Sequence, residues 1–355
     1  MRLFSLSLGW AMLALAGPAT ALTPAEIARL AGPDRQAQLE AGARAEGRVG
    51  LYTALIVDQV VRPLAAGFEA RYPYLKLDYW RGESRSIVQK VLAERRAGAL
   101  AADVIEGTGL AESLVEAGAV EPFASPELAA FDPRYRDPKG LWAPLRFDYY
   151  GASFNTKLVP PAAAPRTYDS LLEPGWRGKI AWLADNESGA LLLVTSLRIA
   201  WGEERARTYL ERLAGQQPIA VTASARTLVN RVIEGEYPLA LGVALHHAMI
   251  SAGAGAPVAP AAMDPVPALL SIVMLGKDAK HPHAAMLLID FLLSREGQTI
   301  VRDRQYLTAR GDVPPLDSLK PIVPRLSGHA ELFIRPEDFS QEHAASQALL
   351  ERLFP

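Results

Sequence analysis

Arg146–Leu158 reads RFDYYGASFNTKL and follows Ala143-Pro144. It alternates, with Phe147, Tyr149, Gly151 and Ser153 on one side and Asp148, Tyr150, Ala152 and Phe154 on the other. A period of two is the signature of a strand. Asn155-Thr156-Lys157 ends it, and a proline-rich run from Pro160 to Pro165 follows. One βαβ-like block precedes this strand and another succeeds it. The stretch is therefore expected to carry the chain from one lobe to a second, with its tyrosines where the lobes face each other.

Upstream, RVGLYT (Arg48–Thr53), Leu75–Trp80 and Asp103–Ile105 read as strands. Between them, Val57, Val61, Leu64 and Phe68, and then Ile87, Val88, Val91 and Leu92, recur at helical spacing. Pro63 is tolerated only if it falls in the first turn of its helix. Strand–helix–strand repeats with short loops argue a mostly parallel sheet flanked by helices. Ligands of such sheets bind beyond the carboxyl ends of the strands. The tips here are Thr53-Ala54-Leu55, Arg81-Gly82-Glu83-Ser84 and Gly107-Thr108.

Downstream, strands are expected at Ile180–Leu183, Pro218–Val221 and Tyr237–Ala244, with helices at Ala190–Trp201, Glu203–Leu213 and Arg226–Glu234. Asn186, Ser224 and His246-His247 stand at their tips. Ala252–Pro265 reads as a return linker, Leu269–Leu275 as a strand back in the first lobe, and Pro282–Ser294 as a strongly apolar helix. The expected organisation is α/β and two-lobed: lobe one from 48–145 plus 266–310, lobe two from 146–265. Residues 22–47 form a helical extension that opens on the capping-box pattern Thr23-Pro24-Ala25-Glu26, and 311–355 pack on the lobes. The hinge is expected at Ala143–Ser153 and Ala262–Pro267.

Composition narrows the role. The 355 residues carry 37 Lys+Arg against 39 Asp+Glu, a net charge of -2 that leaves no electrostatic footprint for nucleic acid or an anionic membrane. Residues 1–21 have a basic start at Arg2, an apolar run from Leu3 to Ala16 and a small-x-small site at Ala19-Thr20-Ala21, the pattern of a cleaved secretory signal. The chain has no cysteine. It therefore has no disulfide framework and no lipid-modified N-terminal cysteine, so a soluble, monomeric protein of the periplasm is expected.

The order of segments resembles the periplasmic solute-binding proteins of ABC importers, in the branch that includes ferric-iron and phosphonate-type binders. The resemblance rests on Pro73-Tyr74, Ala102-Asp103-Val104, Phe154-Asn155-Thr156-Lys157-Leu158, Trp176-Arg177-Gly178-Lys179-Ile180 and Gly235-Glu236-Tyr237-Pro238-Leu239-Ala240. Its most specific part runs from His281-Pro282-His283-Ala284-Ala285 through Phe291-Leu292-Leu293-Ser294-Arg295-Glu296-Gly297-Gln298. It spans nearly all of the chain after the signal. It implies two lobes with a cleft, closure on a small solute, delivery to a permease and its ATPase subunit, and no cofactor. Iron-binding relatives carry two adjacent tyrosines after the late strand of lobe two, where phenolate oxygens suit a hard ferric ion. Here Leu245 and His246, followed by His247, stand near those positions. A small polar or anionic organic solute, such as a phosphonate-like or carboxylate-bearing compound, is thus the first expectation and ferric iron the alternative.

Each candidate contact has a structural competitor. His246 and His247 either donate to an anionic solute, ligate a metal with Tyr149, Tyr150 or Glu83 as partners, or cap an element. For iron, the set is His246, Tyr149 and Tyr150. Tyr149 and Tyr150 are successive on a strand and face opposite ways, one toward the core and one toward the cleft. Arg81 and the helix start at Ser84 form an anion candidate, while Glu83 pairs with Arg81 or meets an amine on the solute. Thr53, Ala54, Thr108, Asn186 and Ser224 are further contacts at strand tips, Ser224 together with Arg226 opening a helix as Arg81 and Ser84 do, with capping as the competing account. His281 and His283 fit a surface helix start behind Pro282. No H-E-x-x-H, G-x-S-x-G or Walker pattern occurs, which leaves no catalytic signature.

Overall fold

The computed structural model describes residues 22–184 and 189–354, so the expected signal at 1–21 and Asn186 lie outside the described residues. The chain enters with α1 (Pro24–Ile27) and α2 (Arg35–Glu46). Thr23 and Glu26 close the expected capping box on α1. Lobe one then begins with β1 (Arg48–Thr53), α3 (Arg62–Arg71), β2 (Lys76–Arg81), α4 (Ser84–Arg96), β3 (Val104–Thr108), α5 (Ala111–Glu116) and β4 (Val120–Glu121). A π-helical turn, Val57–Val61, leads into α3 and places Pro63 in its first turn. The long β5 (Ala143–Asn155) follows and is buried along its whole length.

Lobe two comprises β6 (Ile180–Leu183), α6 (Ala190–Trp201), α7 (Glu203–Ala214), β7 (Ile219–Val221), α8 (Ala225–Glu234), β8 (Leu239–Ala244), α9 (Leu245–Gly253) and β9 (Val258–Ala261). The chain returns through β10 (Val266–Gly276) to α10 (Pro282–Leu293), α11 (Arg295–Asp303) and β11 (Leu307–Thr308). It ends with α12 (Pro324–Ser327), β12 (Glu331–Phe333) and α13 (Pro336–Leu353).

The strand order is β2-β1-β3-β10-β5-β8-β6-β7. Parallel pairs lie at both flanks, β2-β1-β3 and β8-β6-β7, while β10 and β5 in the middle pair antiparallel with their neighbours. The sheet is therefore mixed at its centre, because β5 and β10 run in opposite directions between the lobes. The N-terminal half of β5 pairs with β10, and its C-terminal half pairs with β8 and β9. One strand thus pairs with strands on both sides, and residues 146–149, expected in the second lobe, lie against β10.

A large core covers lobe one, and two smaller ones cover the faces of the lobe-two strands. Helix α10 is buried on nearly every side, which its apolar sequence permits. Its one carboxylate, Asp290, is held by Arg35 and by Ser125 Oγ at 2.7 Å, an interaction that fastens the N-terminal extension to lobe one. The C-terminal segment divides: Leu319, Ile322 and Val323 join the core of lobe one, while Leu349 and Leu350 join that of lobe two.

The end of β8 is re-aimed by a bulge. Its register with β5 shifts between Gly151 and Ala152, and Gly242 opposite adopts φ +71. A Cβ at Gly242 would lie 3.1 Å from the Gly189 carbonyl oxygen. The irregularity increases local twist and directs the following residues, the start of α9, toward lobe one.

Candidate functional site

The carboxyl ends of β1 and β3, the lobe-one half of β5, and the start of α9 converge on a buried polar cluster. Period two puts Arg146, Asp148 and Tyr150 on one face of β5 and Phe147 and Tyr149 on the other. Arg146 pairs with Asp148, whose second oxygen accepts from Thr108 Oγ1 at 3.1 Å. Glu106 on β3 accepts from Ser271 on one oxygen, and from Thr53 Oγ1 at 2.5 Å and the Ala54 amide at 3.0 Å on the other. Tyr306, from lobe one, lies with its ring 4.8 Å from the Arg146 guanidinium and 4.9 Å from the His246 ring. His246 Nδ1 is 3.6 Å from Asp148 Oδ1, too long for a hydrogen bond. From α8, Arg226 donates to the His247 carbonyl at 3.2 Å and to Ser251 Oγ at 2.8 Å. The lobes meet over these groups: Glu106 is 1% exposed, Asp148 and His246 3%, and Arg146 7%.

Both carboxylates are thus engaged by protein donors, while several nitrogens are not. Among the described residues, Arg146 Nε, both ring nitrogens of His246 and Nδ1 of His247 are buried without a hydrogen-bond partner. Helix α9 starts behind Ala244 with no side-chain cap, so its first N–H groups and positive end add to the donor side. The electrostatics agree. Burial, reinforced by the charges of Arg146 and Arg226, lowers His246 to about 3. Burial and the neighbouring His246 hold His247 well below its usual value, with Asp148 opposing. Burial pushes Tyr306 up to about 12. Burial opposes the charge of Arg146, but Asp148 and Glu106 outweigh it and raise its pKa. Burial therefore keeps both imidazoles neutral at neutral pH, in a cluster that holds two guanidinium groups and two carboxylates.

The cluster takes up Thr53, Ala54, Thr108, His246 and His247 of the residues expected from sequence. Tyr150 shares its face of β5 and packs beside Leu192 and Ala244. Tyr149 points the other way, stacks on Phe147 in the lobe-one core and donates to Glu331 Oε2 at 3.0 Å. Burial and Glu331 raise its pKa. It is not brought beside His246. The described residues include no group of three or more His, Cys, Asp and Glu side chains placed to hold a metal ion. Arg81 and Glu83 pair with each other at 2.5 Å on the surface. Glu83, not Ser84, occupies the N-cap of α4. Ser224 caps α8 by accepting from the Thr227 amide at 3.1 Å. His281 and His283 bind Asp103 and Glu46 at 2.8 and 2.7 Å at the start of α10, away from the cluster.

Residues 101–323 match the family model of the bacterial extracellular solute-binding proteins. The chain belongs to that family. It is the substrate-binding protein of an ABC transporter, a role in transport and not a class of enzyme. No curated protein matches the sequence. Similar solved structures include iron-bound HitA from Pseudomonas aeruginosa, at TM-score 0.73 and 19% identity over 87% of this chain and 99% of that one. The periplasmic binding protein AfuA from Actinobacillus pleuropneumoniae, with exogenous fructose-6-phosphate bound, gives 0.72 and 22% over 86% and 97%. FutA (IdiA) of Trichodesmium, in complex with iron and citrate ligands, gives 0.70 and 20% over 87% and 99%. These similarities establish the two-lobed fold of the solute-binding protein. No helix among its described residues is long and apolar enough to cross a membrane.

Arg146, Asp148, Glu106 and Tyr306 complete the candidate site but were not among the residues read from the sequence. One signal existed for the first two: an Arg-x-Asp pair in an apolar strand places opposite charges on one face.

Proposed function

We propose that this solute-binding protein captures a small anionic organic solute between Arg146 of lobe one and Arg226, His246 and His247 of lobe two. The solute is then delivered to the permease of its importer outside the cytoplasm. The observation that carries this reading is the imbalance of the cluster. Its carboxylates are engaged by protein donors, whereas the buried nitrogens without partners are the guanidinium Nε of Arg146 and ring positions of two neutral imidazoles. A neutral imidazole still supplies one N–H, and an acidic group on the solute would accept from it and from the guanidinium. Lobe closure supplies the mechanism: the solute touches both lobes only when they meet, so binding shifts that population. AfuA, with its sugar phosphate, and the iron-bound relatives mark the two ligand chemistries the fold accommodates.

Native mass spectrometry of the protein purified gently from its own compartment, set against its denatured mass, tests the reading. An organic adduct bearing a phosphate, phosphonate or carboxylate is expected. An adduct of iron mass, alone or with a small anion, would replace the reading with ferric iron transport, and a neutral sugar would overturn its charge argument.

A further inference from the structure

We propose that Ser340 and Glu112 form a latch that sets how firmly the lobes stay together, without contact with the solute. Helix α13 is carried by lobe two. Leu349 and Leu350 are buried in that lobe's core, and Arg198 reaches Ser346 Oγ at 2.7 Å and Glu342 at 2.8 Å. Just ahead of the helix, the chain is fastened to lobe one. Strand β12 pairs with the start of β10. Glu331 accepts from the hydroxyls of Tyr135 and Tyr149 at 3.0 Å each. The Ile334 amide donates to the Ala268 carbonyl at 3.0 Å. The segment from Ile334 into α13 is thus a third crossing between the lobes, beside β5 and the return between β9 and β10.

From this crossing α13 reaches back to lobe one. Ser340 Oγ donates to Glu112 Oε1 on α5. Helix α5 follows directly on the Thr108 end of β3, the side of the sheet on which the polar cluster lies. Separation of the lobes about the three crossings therefore pulls Ser340 from Glu112. Ser340 is the fifth residue of α13, about 6–8 Å from the pivot at the helical rise of ~1.5 Å per residue. A rotation of about 20° would move it by about 2–3 Å, enough to break an O–H···O bond. The acceptor is a carboxylate, which makes the bond stronger than one between neutral groups. Both partners are half-buried and neither is part of the polar cluster. The inference rests on the two-lobed fold and not on the charge of the solute.

The chain has no cysteine, so spin labels at Arg96→Cys on α4 and Asn230→Cys on α8, both exposed, report the interlobe distance by pulsed electron resonance without added solute. Ser340→Ala and Glu112→Ala are each expected to lower the ratio of short-distance to long-distance populations by about fivefold, with little change in the thermal midpoint. Ser340→Thr, which keeps the hydroxyl, should retain the parental distribution. Superimposable distributions for parent, Ser340→Ala and Glu112→Ala would overturn the proposal. So would a parent with only the long distance, because the latch would then not form in solution.

Discussion

Acidification should destabilise this protein through His246 as the pH falls below the ordinary imidazole value. The imidazole has an ordinary pKa of 6.5 in the unfolded chain and about 3 in the fold. Above pH 6.5 both states hold it neutral, and its environment costs nothing extra. Below that, the unfolded chain binds a proton and the folded one does not. Stability then falls with decreasing pH at up to about 1.4 kcal/mol per unit. By pH 5, ~1.5 units below the unfolded value, the loss is about 2 kcal/mol, a substantial share of the 5–15 kcal/mol typical of a folded domain. His247 shifts in the same direction and adds to it.

The perturbation is His246→Gln, which keeps an amide donor and acceptor in place and removes the titration. Urea unfolding would be followed by tryptophan fluorescence at about pH 7.5 and 5.0. The parent should lose about 2 kcal/mol more than the variant between the two conditions. Equal losses would refute the reasoning, as would a proton resonance of the His246 ring that titrates near its unperturbed value.

Four further outcomes follow from the same contacts. Arg146→Met leaves Asp148 buried without its cation and should cost about 3–5 kcal/mol in chemical unfolding. Arg226→Gln should weaken binding of the solute identified by mass spectrometry by roughly 10–100-fold and flatten the salt dependence of its affinity, both measured by titration calorimetry. Tyr149→Phe removes one of two hydroxyls from Glu331 and should cost ~1–2 kcal/mol of stability; calorimetry should show solute affinity unchanged within about twofold, whereas a phenolate role at Tyr149 would abolish binding. Gly242→Ala forces a side chain onto a residue with φ +71 and should lower stability by about 1–2 kcal/mol in urea titrations.

The sequence shows the frame of the fold because that frame rests on local patterns. The period of β5, the limits of β6 (Ile180–Leu183) and α6 (Ala190–Trp201), and the apolar α10 agree with the structure. The region after β8 was harder to read. LHHAMISAG forms α9, but it is short, lies beside a Gly/Ala/Pro-rich run, and adopts its direction from a bulge set by the tertiary pairing of β8 with β5. Strand β9 within the expected linker, and the crossing from β12 into α13, depend likewise on partners distant in sequence. At the site, strand tips were legible as a class, and five of the expected contacts do converge. Which of them would turn aside was not legible. Tyr149 is claimed by Glu331, far along the chain, and Ser224 by its own helix. Glu106 fell just past the strand read over Asp103–Ile105; its position beside Thr53 and Ser271 comes from the pairing of β3 with β1 and β10.

With the solute seated as proposed, the polar cluster also explains why closure can depend on it. A buried donor or acceptor without a partner costs about 1–3 kcal/mol, and the nitrogens of Arg146, His246 and His247 lose their hydration when the lobes meet. Four such atoms would oppose closure by several kcal/mol. Contacts between the lobes offset part of that cost, so a protein with both states comparably populated needs about 2.7 kcal/mol of differential binding to become almost entirely closed. A neutral His246 carries a single N–H, so an anion can accept from at most three of these four nitrogens; it removes much of the penalty and adds its own attraction to Arg146 and Arg226, while a solute unable to accept leaves the penalty in place. Selection for charge and the drive to close are then the same interaction. On this account, changes at Arg226 or His246 should alter affinity and lobe population together, whereas a change at Ser340 should move the lobe population of the protein before any solute arrives.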